Sequence, residues 1–528
     1  MTEILEVNNK NSFEKFSYMV NYSDKDYCDD VLTLGLEKTW DNICEYLRNN
    51  GENVLGILKV DNFGELYEKG LALVDKNKKK ASGQYYTPDD VATVMANWLK
   101  PLDGENICDV ACGTGKLILT YLQLFEKKEV QKFLSQKRLF LYDIDKTALN
   151  VCKSIILYTY GYEYEDDINI ICADFLDKNV KLPENCKVIT NPPYANISEI
   201  PTTWVQTNVQ KDTKELYSSF MEKIIEQSKS SVIISPYSFL GGSKFYSLRL
   251  LMNDYNGFIV SFDNVPGTIF CGRKHGIFNT NTSNSVRAAI TVVQNSPKNG
   301  SGFKISPLIR FKAIERNLLL KNDVLESFLN PQFQKVCDTA KMYYKCDKRL
   351  DEIFEKWQAI SDKTLSDYVT VGGKYSIYMP NTCRYYTTSS AVKMNRNGQI
   401  SLSFDDEDVF YYVYCLINSS LAYWHWRLYD GGITYPKSLL LTIPVFYSKL
   451  SIDDKTFFKD VAQKMISSAN DFLITKNNVG LQENIKYPKA YRDKLNQKIL
   501  DILGIDENAN IFDIIHSNMA LRVNLCKI

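Results

Sequence analysis

The stretch "DVACGTGKL", Asp109–Leu117, decides how the chain around it is read. A short apolar strand, "NICDV", runs into it, and "GKLILTYLQLF" leaves it with apolar residues at helical spacing. Gly113 and Gly115 allow a sharp turn and a close approach of ligand to backbone. A P-loop is the obvious competitor, given Gly115-Lys116. It fails on spacing: its first glycine belongs at Val110, and Lys116 is followed by Leu117 rather than Ser or Thr. The dinucleotide pattern G-x-G-x-x-G also fails, because Ile118 stands where its last glycine belongs. A strand–turn–helix without these phosphate devices suits a nucleoside ligand that has no pyrophosphate. S-adenosylmethionine (AdoMet) is such a ligand, and Asp109 at the strand tip can face its cationic amine.

Outward from this turn, strands and helices alternate from Ser82 to about Val293. "VATVMANWL" reads as a helix before it. "RLFLYDID", "INIICADF", "KVITN" and "SVIISP" read as strands after it, with "KTALNVCKSIILYTYG" and "KELYSSFMEKIIEQS" as helices between them. Repeated strand–helix units imply a parallel sheet covered on both faces. In such sheets ligands sit at the carboxyl ends of the strands. Three successive strand ends are acidic: Asp109, then Asp143 in "LYDID" and Asp174 in "CADF". Asp143 is placed to grip a ribose diol, with Asp145 as the alternative, while Asp174 and Phe175 are placed to hydrogen-bond and cover an adenine ring. Each acid alone is more often a helix cap or a solvated loop residue; the series favours a ligand.

The next strand ends in "VITNPPYAN", Val188–Asn196. Pro192 and Pro193 each fix φ and lack an N–H, so Asn191-Pro192-Pro193-Tyr194 is held stiffly at the sheet edge. An ordinary Pro-rich turn is the bland reading. The chemical reading concerns a planar exocyclic amine, such as adenine N6, whose delocalised lone pair makes it a poor nucleophile. The Asn191 side-chain oxygen and the Pro192 carbonyl can accept from its two N–H groups as the nitrogen turns toward sp³. Tyr194 offers a face for base stacking, worth roughly 1–3 kcal/mol. No strong general base is needed if the proton leaves after methyl transfer has made the nitrogen cationic.

These motifs resemble those of a known family. "NPPY", "DVACGTG" and "GQYYTP" (Gly83–Pro88) look like motifs IV, I and X of AdoMet-dependent amino methyltransferases. Their order, X then I then IV, is similar to the gamma class of N6-adenine DNA methyltransferases, which includes type I modification subunits and single-chain type II enzymes. The resemblance covers about residues 65 to 293, with a weaker match from 336 to 450. It implies that Tyr86, Thr87 and Pro88 line the methionine end of AdoMet, that Asp109, Gly113 and Gly115 lie beneath the cofactor, and that Asp143 and Asp174 take its ribose and adenine. It implies Asn191, Pro192 and Tyr194 around the target base. Val110 stands where the family often has Pro. "RKHGIFNTNTSNSVRAAITVV" should contain the second base-contacting position, with Phe278 as the candidate. NPPY also occurs in enzymes that methylate a glutamine amide or ribosomal RNA; "YYTP" at this distance before the glycine turn favours DNA adenine.

The expected fold class is α/β. It comprises a Rossmann-like AdoMet methyltransferase domain at 81–335, an N-terminal helical segment at 1–80, a C-terminal α+β target-recognition region at 336–450 and helix from 451 to 528. "YCLINSSLAYWHWRL" reads as one helix of the recognition region. In that region "KMYYKCDKR" and "GGKYSIYMPNTCRYYTTSS" interleave basic and aromatic residues, which suits phosphate and base-edge contacts. Lys345, Lys348, Arg349, Lys374 and Arg384 are the candidate DNA contacts; packing is the plainer account of the aromatics. The 63 basic and 63 acidic residues of this 528-residue chain cancel, so a nucleic-acid surface must come from segregated charge. His275, His425 and His516 lie far apart and the thirteen cysteines show no repeated C-x-x-C, so no metal site is expected. With no apolar run of membrane length and no signal-like N-terminus, the expectation is a cytoplasmic protein that docks with no membrane. The expected activity is site-specific methylation of a flipped-out adenine in double-stranded DNA. Alternatives are a modification subunit that needs a separate specificity subunit, and an RNA or protein amide methyltransferase. A cognate restriction endonuclease or specificity subunit is the expected partner class.

Overall fold

A computed structural model describes residues 87–264, 266–270, 286–294, 301–337, 341–477 and 480–516. The expected N-terminal helical segment lies outside the described residues, as do Tyr86, His275 and Phe278. By their internal contacts the described residues fall into two compact units, those of 87–305 with 312–342, and those of 306–311 with 343–516.

The first unit is built on a sheet of order β3-β2-β1-β4-β5-β7-β6-β8. The strands are β1 (Asn106–Asp109), β2 (Leu139–Asp143), β3 (Ile168–Cys172), β4 (Cys186–Thr190), β5 (Ser230–Pro236), β6 (Asn256–Phe262), β7 (Ala288–Gln294) and β8 (Gly302–Ile309). The boundary between the units falls within β8. β3, β2, β1, β4 and β5 run parallel, while β7 is antiparallel to both β5 and β6. Their near-continuous apolar runs are what a sheet covered on both faces requires: every residue of β4 is buried. Helices Asp89–Leu99, Lys116–Leu122, Lys146–Tyr160 and Leu216–Gln227 supply apolar faces to it. β1 pairs with β2 on one side (Ile107 opposite Leu139) and with β4 on the other (Ile107 opposite Lys187). Strand order therefore reverses at β1/β4, and this switch point carries the two motifs that begin at Asp109 and Asn191. The expected doubly wound α/β architecture is present.

The second unit has one hydrophobic core, drawn from residues between Cys346 and Ile515. The 336–450 and 451–528 stretches both contribute to it. Trp357, Tyr412, Tyr423, Trp426 and Tyr435 are fully buried there, so these aromatics serve packing. Two expectations need correction. "YCLINSSLAYWHWRL" is not one helix but the end of Glu407–Asn418 followed by Ser420–Tyr429. Ser419 is extended between them, and its hydroxyl accepts from the Leu421 N–H at 3.2 Å as a helix cap. The chain after Ser451 is not helical throughout either. An antiparallel pair, β9 (Leu473–Asn477) and β10 (Leu481–Ile485), separates helices Ile452–Ser467 and Lys489–Leu503. Among the described residues no helix is long and apolar enough to cross a membrane.

Candidate functional site

The site assembles where β1 and β4 end. After β1 the chain turns through Gly113 (φ +50°) and Gly115 (φ +89°), backbone conformations that favour glycine. A Cβ on Gly115 would meet Cys152 Sγ, so the turn lies directly on helix Lys146–Tyr160. The turn is tied to the end of β2. Cys112 N–H donates to the Tyr142 carbonyl at 3.0 Å, and Gly113 N–H donates to Asp143 Oδ2 at 2.7 Å. Asp143 Oδ1 accepts from Asp145 N–H at 2.9 Å, and Asp145 caps the following helix through Ala148 N–H. Asp143 thus shapes the glycine turn, and its oxygens keep lone pairs for a hydroxyl ligand. Burial raises its carboxyl above the ordinary range.

Asp109 is 1% exposed. Burial pushes its pKa up to about 7, opposed by a hydrogen bond from Ala111 N–H at 3.3 Å. A carboxyl near neutrality at a strand tip can gain or lose its proton with the charge of what it faces.

Asn191 follows β4. Its Nδ2 donates to Thr87 Oγ1 at 3.0 Å, which aims the amide oxygen away from Thr87. Thr87 is buried, and Pro88 caps helix Asp89–Leu99. Asp89, in that helix's first turn, pairs with Lys116, so the basic residue of the P-loop look-alike is committed to an ion pair. The exit from the double proline is pinned by backbone bonds: Ile197 N–H to Lys214 O at 2.9 Å, and Leu216 N–H to Ala195 O at 2.9 Å. The Tyr194 hydroxyl donates to the Ile234 carbonyl on β5 at 3.2 Å, which fixes the ring.

Against that ring stands Phe270, with centroids 5.9 Å apart and planes at 67°. Sequence reasoning missed Phe270. It is placed by Arg316, which donates to the Thr268 and Ile269 carbonyls at 2.8 Å each and grips Asp90 at 2.5 and 2.8 Å. That arrangement joins residues over 200 positions apart, and no local spacing signals it.

Asp174 is committed on both oxygens: Oδ1 to Leu176 N–H at 3.0 Å, Oδ2 to the Trp204 indole N–H at 2.7 Å. Phe175 is 2% exposed and packs between Tyr142 and Phe220. The structure therefore puts Phe175 in the core, where its ring is not placed to cover a ligand.

In the second unit, Lys348, Lys374 and Arg384 are exposed. Lys345 is 3% exposed, and Arg349 is clasped by Asp347 at 2.8 and 2.6 Å. The five candidate DNA contacts are thus not alike, because Lys345 is a core residue. Burial brings His425 and His516 down to about 3, so both stay neutral. Among the described residues no group of three or more His, Cys, Asp or Glu is placed to hold a metal ion.

The family model for N-6 DNA methylases matches residues 58–256. The MpnII type I restriction enzyme methylase subunit of Mycoplasma pneumoniae is 29% identical over 150 residues, 26% of this chain and 26% of that one. The EcoEI type I restriction enzyme methylase subunit of Escherichia coli is 26% identical over 211 residues, 37% of this chain and 41% of that one. The chain thus spans less than half the length of these two relatives. Among solved structures, the DrdV–DNA complex aligns with a TM-score of 0.44 at 12% identity, over 88% of this chain and 70% of that one. Residues 58–256, which carry the glycine turn and the Asn-Pro-Pro-Tyr stretch, are thus the part of the chain that is similar to N-6 DNA methylases.

Proposed function

We propose that the chain is an AdoMet-dependent, site-specific DNA methyltransferase acting on adenine N6. The observation that carries this reading is the Thr87-held Asn191 amide at the end of β4, one strand from the glycine turn and beside the Tyr194–Phe270 ring pair. The residues at the β1 end fit the cofactor. The turn runs through Gly113 and Gly115 at positive φ, Asp109 can match a cationic amine, and Asp143 retains acceptor capacity for ribose hydroxyls. Thr87, Pro88, Asp109, Gly113, Gly115, Asp143 and Asp174 would hold it. When bound it supplies an electrophilic methyl group.

The chain's own part is positioning and electrostatics. A flipped adenine would lie against Tyr194 and Phe270, whose rings part to receive it. The Asn191 amide oxygen and the Pro192 carbonyl would accept from the two N6 hydrogens, and both contacts strengthen as the nitrogen becomes cationic. The N6 proton then passes to solvent, so no buried base is required. Flipping costs a few kcal/mol, which backbone contacts in the second unit would offset. Lys348, Lys374 and Arg384 are the exposed candidates there.

Asn191→Ala removes one acceptor and leaves the cofactor residues in place. Single-turnover transfer of labelled methyl to adenine-containing DNA should fall on the order of a hundredfold, with AdoMet and DNA affinities near wild type. A wild-type rate in the variant would make the stretch structural and end this reading.

A second reading has a specific support: the relatives above are named as subunits of type I enzymes. On it, methylation requires a separate specificity subunit, and the purified chain would bind AdoMet yet leave DNA unmethylated until that subunit is added.

A further inference from the structure

Lys223 lies in the middle of helix Leu216–Gln227, and its side chain reaches the turn that follows β3. Its Nζ donates to three backbone carbonyls of that turn: Phe175 at 2.5 Å, Val180 at 2.6 Å and Asp177 at 2.9 Å. An ammonium has three N–H donors, and all three are used. The same charge sits 4.8 Å from the centroid of the Phe175 ring. The turn is therefore wound around a single cation. Without it the Phe175 and Val180 carbonyls would lose this donor, while the Asp177 carbonyl would keep only the Val180 N–H at 3.2 Å.

Asp174 opens this turn, and a second set of contacts holds the turn from the side. Trp204 donates its indole N–H to Asp174 Oδ2, Lys178 N–H donates to the Thr203 carbonyl at 2.9 Å, and Asp177 bridges to Trp204. Trp204 belongs to the segment that leaves Tyr194. The position of the Asp174 carboxylate is thus set by Lys223 beneath and by the Asn-Pro-Pro-Tyr exit beside it.

We propose that Lys223 is a positioning residue for the adenosine half of the cofactor, acting through the 175–180 turn to place Asp174. This rests on the AdoMet reading given above. Lys223 touches neither ligand nor reacting atoms. The charged groups that face it are Asp174 and Asp177 from the turn, which favour the cation. On its own helix, Glu222 accepts instead from the Thr207 hydroxyl at 2.7 Å, and Glu226 stands one turn on. From β2, Tyr142 packs edge-on against Phe175, and burial keeps its hydroxyl protonated. Burial outweighs the two aspartates and lowers the Lys223 pKa to about 8. Losing the proton leaves two N–H donors and turns a lone pair toward one of the three carbonyls.

The test uses the full chain and two ligands, AdoMet and 5′-methylthioadenosine. The second carries the adenosine but no amine that titrates in this range. Calorimetric affinity of the wild type for 5′-methylthioadenosine should fall severalfold as pH rises through about 8. Lys223→Met should bind about tenfold more weakly, the scale on which outer-shell partners of a site act, and should lose the pH dependence. Lys223→Arg, which keeps a charged donor, should recover part of the affinity and stay independent of pH. In turnover the Met variant should show a raised KM for AdoMet with kcat near wild type. A folded Lys223→Met with wild-type affinity and an unchanged pH profile would overturn the proposal and leave the AdoMet reading standing. If that variant does not fold, a flat wild-type profile between about pH 7 and 9.5 overturns it equally. A wild type that binds neither ligand would overturn the AdoMet reading itself, and the proposal with it.

Discussion

Asp109 shows how much chemistry one buried carboxyl can hold. Its pKa of about 7 lies above the ordinary value because burial disfavours the charge. The folded protein therefore binds a proton here that the unfolded chain has already lost. Stability from this group is full at acid pH and is lost as pH rises through about 7. A cationic ligand reverses the preference, since only the carboxylate attracts it. AdoMet affinity should then weaken as pH falls from about 8 to 6, and binding near pH 6 should release a proton. Calorimetry in two buffers of different ionisation enthalpy reads that release directly. Asp109→Asn should abolish it, and buffer-independent heats in the wild type would place Asp109 away from the cofactor's amine. The carboxylates, the glycines and the prolines of the site were legible because each needs a particular residue type at a strand end. Phe270 and Arg316 were not, because what fixes them is a contact between distant segments. Phe175 misled for the same reason: its neighbour Asp174 faces the loop, while its own ring falls to the core side.

Elements were legible wherever period and burial agreed. The parallel strands are short runs buried on both faces, and each was found to within a residue or three of its ends. The helix pair Glu407–Asn418 and Ser420–Tyr429 was not, since its apolar pattern continues across the break. Polar side chains set that break. The Asn418 amide donates to Ser389 Oγ at 2.5 Å and to the Tyr414 carbonyl at 2.9 Å, and its oxygen accepts from Ser389 N–H at 3.2 Å. Ser420 N–H donates to Asn496 Oδ1 at 2.9 Å. Ser419→Ala should cost about 1 kcal/mol through the lost cap. Asn418→Leu should cost about 2–3 kcal/mol, because it strands buried partners. Urea unfolding followed by circular dichroism would rank them, and an unshifted midpoint for Asn418→Leu would show that the break has another cause. The β9–β10 pair escaped notice because its residues are mixed in polarity and mostly exposed or half-buried, so neither face carries a clean alternation.

For the whole molecule, the balance of 63 basic and 63 acidic residues means that the proposed DNA binding would depend on where charge is exposed. Composition could not distinguish Lys345, which the core holds, from Lys348, which solvent reaches. Neutralising Lys348, Lys374 and Arg384 together should flatten the dependence of log K on log salt by about one for each phosphate contact removed. A filter-binding series over salt concentration gives that slope. Lys345→Met should leave the slope alone, and an unaltered slope in the triple variant would take these loops off the DNA surface.

The indole of Trp204 has one further consequence, and it is optical. Its N–H is spent on the carboxylate of Asp174, and its ring is nearly sealed from water. Indole emission responds to nearby charge and to solvent. A tryptophan hydrogen-bonded to the carboxylate proposed to meet adenine is therefore a built-in, label-free reporter. The chain carries its own dye at the point where the nucleoside would arrive.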